Sequence, residues 1–263
     1  MKYCKCKITG KKIPIILSYG DMPIANDFSK TINKKNNYKM QIAFNDQDGI
    51  LQLVSAPKPK KLFNKNYAFL SSTSKHMQNH FGNVAEMIKK KFIKDKFKIM
   101  EIGCNDGIFL QNFKKFNHLG VEPSKNVCQI SKSKKLNVVN SFFDKKLIDK
   151  KKLKNNFDVI FAANVICHIP DIITLFKNIE LSLKDNGVFI FEEPYLGDVI
   201  EKTSYDQIYD EHFYLFSVNA IRSIIKNLNL EVFNAERIST HGGSVRYYIQ
   251  KKGVRKKTKK LIK

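Results

Sequence analysis

From residue 96 onward, short apolar runs alternate with stretches in which apolar positions recur every three or four residues. The runs at 97–102, 118–122, 137–140, 157–163 and 187–193 predict strands. The periodic stretches predict helices near 107–116, 124–134, 145–153, 171–184 and 217–228. In Phe157-Asp158-Val159-Ile160-Phe161-Ala162-Ala163 both faces of the pleat are apolar, as in a strand covered on both sides. Strands separated by helices predict a doubly wound, mostly parallel α/β sheet. Upstream, Met77, Phe81, Val84, Ile88 and Phe92 share one face of an amphipathic helix over 74–94, with Ser74 as its N-cap. Residues 1–60 read instead as a small β-rich module: Ile13 to Leu17, Tyr38 to Phe44 and Gly49 to Val54 as strands, and Asp46-Gln47-Asp48-Gly49 as a hairpin connection. Ala56-Pro57-Lys58-Pro59 reads as the linker after it.

Composition narrows the class. A chain of 263 residues can bury a sizeable core, as one large domain or two smaller ones. No apolar run approaches the roughly 20 residues that span a bilayer, and the lysine-rich start lacks the apolar core of a signal peptide. Cytoplasmic localisation without a membrane partner is therefore expected. The formal charge of +23 suggests nucleic acid, yet only four of the 47 basic residues are arginine (Arg222, Arg237, Arg246, Arg255). Base-edge readers favour arginine's planar fork, so the charge reads as a solvated lysine surface that steers anionic substrates, with no nucleic-acid partner. Five cysteines, at 4, 6, 104, 128 and 167, make no C-x-x-C pair and read as reduced thiols.

The candidate chemistry centres on Glu101-Ile102-Gly103-Cys104-Asn105-Asp106-Gly107, a turn after the 97–102 strand. Glycines there let backbone approach a ligand closely. The spacing is neither the dinucleotide fingerprint G-x-G-x-x-G nor a phosphate loop. It resembles the first motif of S-adenosylmethionine-dependent methyltransferases. In doubly wound sheets ligands sit at the carboxyl ends of the strands, and Glu122, Asn164 and His168 fall at or just after such ends. Glu122 lies where an acid accepts hydrogen bonds from ribose hydroxyls; its plainer role is an acid at a helix start before Pro123. His168 is read either as cofactor-facing or as a packed core histidine. The expected cofactor-binding set is Glu101, Gly103, Asn105, Asp106, Gly107, Glu122, Asn164 and His168.

Further motifs follow in order: Glu192-Glu193-Pro194-Tyr195, Tyr209-Asp210-Glu211-His212 and His241-Gly242-Gly243-Ser244-Val245-Arg246. With Gly20-x-x-Pro23-x-Ala25-Asn26-x-Phe28, the chain from about residue 10 to 250 resembles the sugar C-methyltransferases, which methylate nucleotide-linked deoxysugars. The resemblance implies a Rossmann-like class I methyltransferase core over 74–195, an N-terminal module of zinc-binding type over 1–60 and a nucleotide-associated C-terminal domain beginning at 196. S-adenosylmethionine is the implied cofactor and a nucleotide-linked keto sugar the implied substrate. His212 is the implied general base, with Tyr209 and Glu211 positioning or polarising the sugar; imidazole suits removal of a proton beside a ketone near neutral pH. Tyr67 is implied to close the site, and His241, Ser244 and Arg246 to contact substrate or phosphate. For Tyr67 a packed hydrophobe, and for the latter set a glycine turn with a surface arginine, are the alternatives.

The chain departs from that family in places. Cys4 and Cys6 stand one residue apart, and Asn45 and Asp48 occupy the second pair's positions, so no bound zinc is expected. Asp210 stands where the family commonly has histidine. The chain stops soon after Arg246, so 196–263 reads as the start of a truncated domain. Methylation of oxygen or nitrogen on a sugar or small metabolite, or a non-catalytic cofactor-binding remnant, are the competing functions.

Overall fold

The computed structural model describes residues 2–26, 37–65 and 67–258. Phe28 of the N-terminal signature, Asn66 and the terminal 259–263 lie outside the described residues. Among the described residues, no helix is long and apolar enough to cross a membrane.

The N-terminal strands β1 (Tyr3–Lys5), β2 (Lys12–Met22), β3 (Tyr38–Asn45) and β4 (Ile50–Leu53) form an antiparallel meander. This module does not close on itself. Every residue of β4 is buried, and its free edge pairs with a strand from far downstream, with Leu51 opposite Leu215. A small meander has too little core to stand alone, and here the borrowed strand covers its edge.

The short α1 (Pro59–Leu62) leads to α2 (Lys75–Phe92), which starts where Ser74 accepts a hydrogen bond from the Met77 N–H. The expected alternation then unfolds: β5 (Lys98–Ile102), β6 (Asn117–Glu122), α3 (Lys125–Ser133), β7 (Val138–Asn140), α4 (Lys145–Lys151), β8 (Phe157–Ala163), α5 (Ile172–Ser182), β9 (Leu183–Pro194) and α6 (Leu196–Glu201). β10 (Tyr214–Phe216) is the strand that pairs with β4, and α7 (Val218–Ile225), β11 (Leu230–Ile238) and β12 (Ser244–Lys251) complete the chain. The large sheet runs β11-β12-β9-β8-β5-β6-β7, parallel from β9 to β7, with β12 antiparallel to both neighbours. α4, α5 and α7 cover one face through Ile148, Phe176 and Ile221, while α2 covers the other through Phe81, Val84 and Ile88. This is a Rossmann-like α/β sheet, mostly parallel, with an antiparallel strand toward one edge.

Two expectations need correction. The periodic stretch 107–116 forms only a single 3-10 turn, Leu110–Phe113. The Asn112 amide donates to the Ile108 and Phe109 carbonyls, local bonds that compete with helix continuation. The boundary at 195/196 also moves, because β11 and β12 belong to the core sheet. Val245, Tyr247 and Ile249 of β12 pack into one core face and Tyr248 into the other, so the sheet buries this strand on both sides.

Candidate functional site

At the carboxyl ends of β5, β6, β8 and β9 lies a cavity of about 380 Å³, within the range that encloses small ligands. Its floor is the turn after β5. Gly103 has φ +67, and a Cβ there would run into the Val165 side chain, so only glycine fits. Asn105, also left-handed at φ +47, donates its backbone N–H to Glu122 Oε2 at 3.0 Å. Glu122 Oε1 accepts from the Ser124 N–H at 2.8 Å. Burial pushes the Glu122 carboxyl up, against the pull of those two amides. Each of its oxygens retains a lone pair. Apolar walls come from Met77, Phe81, Ile102, Phe142 and Phe143.

The segment between α1 and α2 crosses this cavity. Asn105 Oδ1 accepts from the Ser71 N–H and its Nδ2 donates to the Phe69 carbonyl, at 3.0 and 3.1 Å. Asn126 donates to the Tyr67 carbonyl at 2.8 Å. Tyr67 thereby reaches the far half of the cavity, where its hydroxyl donates to Glu211 Oε2 at 3.4 Å.

That far half is built from the loop before β10. His212 Nδ1 lies 2.7 Å from the Gln207 carbonyl. A carbonyl only accepts, so Nδ1 carries the proton and Nε2 the free lone pair. Burial holds the His212 pKa down to about 4, with His241 adding to the fall and the Gln207 carbonyl opposing it. The Tyr209 ring packs 4.3 Å from the imidazole, centroid to centroid. Burial and the Glu211 carboxylate push both Tyr209 and Tyr67 far above the ordinary phenol range, so both remain O–H donors. The Asn26 amide donates to Glu211 Oε1 at 2.6 Å, and the Ala25 N–H to Asp210 Oδ1 at 3.2 Å. The Gly20-to-Asn26 signature thus lands against the Tyr209-to-His212 motif.

Tyr67, Gly103, Asn105, Glu122, Asn164, His168, Tyr209, Glu211, His212 and His241 line one cavity. Glu101, Asp106, Gly107, Ser244 and Arg246 do not. Glu101 is buried beneath the turn, its carboxyl raised by burial first and by Glu122 and Asp106 next. Asp106 turns to Lys134, and Gly107 makes room for Leu136. The Ser244 hydroxyl donates to the Thr240 carbonyl. Arg246 Nε donates to Glu192 Oε1 at 2.6 Å, and His80 Nε2 meets Glu192 Oε2 at 2.6 Å, so Arg246 holds the sheet end together.

Cys6, Asn45 and Asp48, at the zinc-type positions of the N-terminal module, are hydrogen-bonded to one another and to Ser223. The Asn45 amide donates to Cys6 Sγ and to Asp48 Oδ2, and Ser223 occupies the other Asp48 oxygen. An amide that donates its N–H offers the metal no lone pair there.

A family profile described as a methyltransferase domain matches residues 54–235. The chain belongs to the methyltransferase family. This methyltransferase is 20% identical over 249 residues to the C-methyltransferase NovU of Streptomyces niveus, covering 92% of this chain and 59% of the relative. It is 23% identical over 207 residues to the sterol 24-C-methyltransferase of Kluyveromyces lactis, covering 71% and 52%. The chain therefore spans between half and three-fifths of the length of these relatives. Its fold is similar to that of the PH0226 protein of Pyrococcus horikoshii OT3, with a TM-score of 0.56, 16% identity, and coverage of 70% of this chain and 95% of that one. A SAM-dependent methyltransferase of Leishmania major has a TM-score of 0.53 at 12% identity, with coverage of 68% and 75%.

Sequence reasoning did not assign Asn26, Gln207, Phe142 or Phe143 to the site of this methyltransferase. The first lay inside the N-terminal signature. The two phenylalanines form an apolar pair in the loop just after the predicted strand at 137–140, and loops at strand ends are where site residues concentrate.

Proposed function

We propose that this methyltransferase moves a methyl group from S-adenosylmethionine to the carbon beside the ketone of a nucleotide-linked keto-deoxysugar. The observation that carries this reading is His212, a buried neutral imidazole whose Nε2 lone pair is free in the cavity that Gly103 and Glu122 also line. Two relatives named as C-methyltransferases support carbon as the acceptor.

The residues present fit the donor. Gly103 lines the cavity with bare backbone, Glu122 keeps lone pairs for ribose hydroxyls, and Phe142 with Phe143 gives an apolar wall for a flat base. When bound, the donor supplies an electrophilic methyl group on a sulfonium and leaves as a neutral thioether. His212 Nε2 takes the proton from the carbon beside the ketone and keeps it as imidazolium. The C–H electron pair becomes an enolate, whose carbon forms the new C–C bond. Tyr209, held protonated, donates a hydrogen bond to the oxygen where the charge develops, while Tyr67 keeps its hydrogen bond to Glu211 and fixes that carboxylate. Glu211, anchored by Asn26, accepts from a sugar hydroxyl and fixes the ring.

Proton removal can be tested apart from methyl transfer. In D2O, with S-adenosylhomocysteine filling the donor site, the enzyme should exchange the hydrogen beside the ketone of a nucleoside-diphosphate 4-keto-6-deoxysugar. A substrate that keeps all its protons would contradict the base.

The pH profile follows from the same residue. A base acts only when deprotonated, so the part of kcat/KM that depends on His212 should rise through about pH 4. A limb near pH 6.5 would mean a base in ordinary solvent. Removing Glu122 acts on the other half. Glu122→Ala should weaken donor binding by roughly 10–150-fold, the worth of a hydrogen bond to a charged group, as read by calorimetry.

A further inference from the structure

We propose that Cys167, His168 and His212 form a binding site for a thiophilic divalent cation of the zinc class, and that its occupation switches off methyl transfer. Cys167 Sγ and one ring nitrogen from each histidine lie within 4.8 Å of one another. Zinc bonds of about 2.0–2.3 Å in tetrahedral array would set donors roughly 3.5 Å apart, so side-chain shifts of about an ångström close the site. One thiolate and two imidazoles are the donor types that zinc selects.

Two further observations point to a ligand. His168 is only 8% exposed, yet its Nδ1 is buried without a hydrogen-bond partner. Buried polar atoms are nearly always paired, and a metal bond would satisfy this one. His212 already has the arrangement of a metal-bound imidazole, one ring N–H given to a backbone carbonyl and the other nitrogen left with its lone pair. His168 and His212 both line the cavity, which gives the ion an entry path, while Cys167 is fully buried. Glu211 Oε2, 4.0 Å from His168 Nδ1, adds a carboxylate beside the site.

On binding, the Cys167 S–H bond breaks, the sulfur keeps the electron pair and bonds the metal, and the proton passes to solvent. His168 and His212 contribute neutral lone pairs and lose nothing. The inhibitory part rests on the reading of His212 as the base, because its Nε2 lone pair cannot hold a metal and accept a substrate proton together. The binding part does not depend on that reading.

The test uses the full chain carrying Cys4→Ser and Cys6→Ser, titrated with Co2+ as an optical stand-in for zinc. A near-ultraviolet thiolate-to-cobalt band should appear, disappear on adding Zn2+, and be absent after Cys167→Ser. His168→Ala should weaken cobalt binding by at least about tenfold, since even neighbours of metal ligands cost that much. In turnover, Zn2+ should inhibit and a chelator restore activity, and Cys167→Ser should remain active while needing at least about tenfold more Zn2+ for inhibition. No band, a band that survives Cys167→Ser, or unchanged zinc inhibition in that variant would overturn the proposal. If Cys167→Ser does not fold, unchanged cobalt affinity in His168→Ala overturns it instead. A cobalt band in a protein that turns over no keto sugar would leave the metal site standing and count against the proposed reaction.

Discussion

Replacing His212 by alanine should lower the methyl-transfer rate by about 10²–10⁴-fold, the usual worth of a positioned general base, and leave donor affinity unchanged. The argument is geometric. Gln207 fixes the tautomer, burial keeps the ring neutral, and the Nε2 lone pair is the basic atom that results. Glu122 and Gly103, the residues proposed to hold the donor, lie at other strand ends, so truncating the imidazole should leave donor binding in place. Single-turnover rates with saturating donor, beside calorimetry of donor binding, separate the two effects. Parallel losses of rate and donor affinity would mean that His212 shapes the cavity and does no proton transfer.

The second large effect is on stability. Arg246→Ala should destabilise the fold by about 3–5 kcal/mol, the cost of breaking a buried ion pair from one side. Glu192 is 2% exposed, and burial alone would raise its pKa. His80 and Arg246 overcome that and hold the carboxyl below its usual range, so it is charged at neutral pH. Without Arg246 a buried carboxylate keeps only a histidine partner. Arg246 also lies 3.7 Å from Glu236 on β11, so its loss loosens the end of the sheet. Thermal unfolding should show a fall in Tm of roughly 6–20 °C for a chain of this size. Arg246→Lys should recover part of it, since lysine restores the charge without the planar fork. A Tm unchanged by Arg246→Ala, with a raised KM for substrate, would return this arginine to the substrate site that the sequence suggested.

Arg246 illustrates where sequence and structure part. The parallel strands were legible because each is a compact apolar run, and the glycine turn after β5 because Gly103 needs a conformation that other residues resist. The Tyr209-to-His212 motif was legible through resemblance. Illegible features depend on distant partners. The stretch from Val245 to Gln250 is strand-like in sequence, but nothing local reveals that this strand lies between β9 and β11, with Arg246 facing Glu192 across the sheet. The pairing of β10 with β4 joins residues 214–216 to residues 50–52, a separation that no window of periodicity spans. Asn105 lines the cavity, and its amide also holds the segment that carries Tyr67, a contact between residues distant in sequence. The 107–116 stretch failed differently. Its spacing was helical, but the Asn112 side chain takes the carbonyls that a helix would use.

The central claim is that carbon accepts the methyl group. A donor labelled with 13C in the methyl group, turned over with a nucleoside-diphosphate 4-keto-6-deoxysugar, decides it by NMR of the product. The account predicts a labelled methyl carbon bonded to the ring carbon beside the ketone, with one hydrogen lost from that carbon. A label bonded to oxygen or nitrogen, with the ring hydrogens intact, would contradict it.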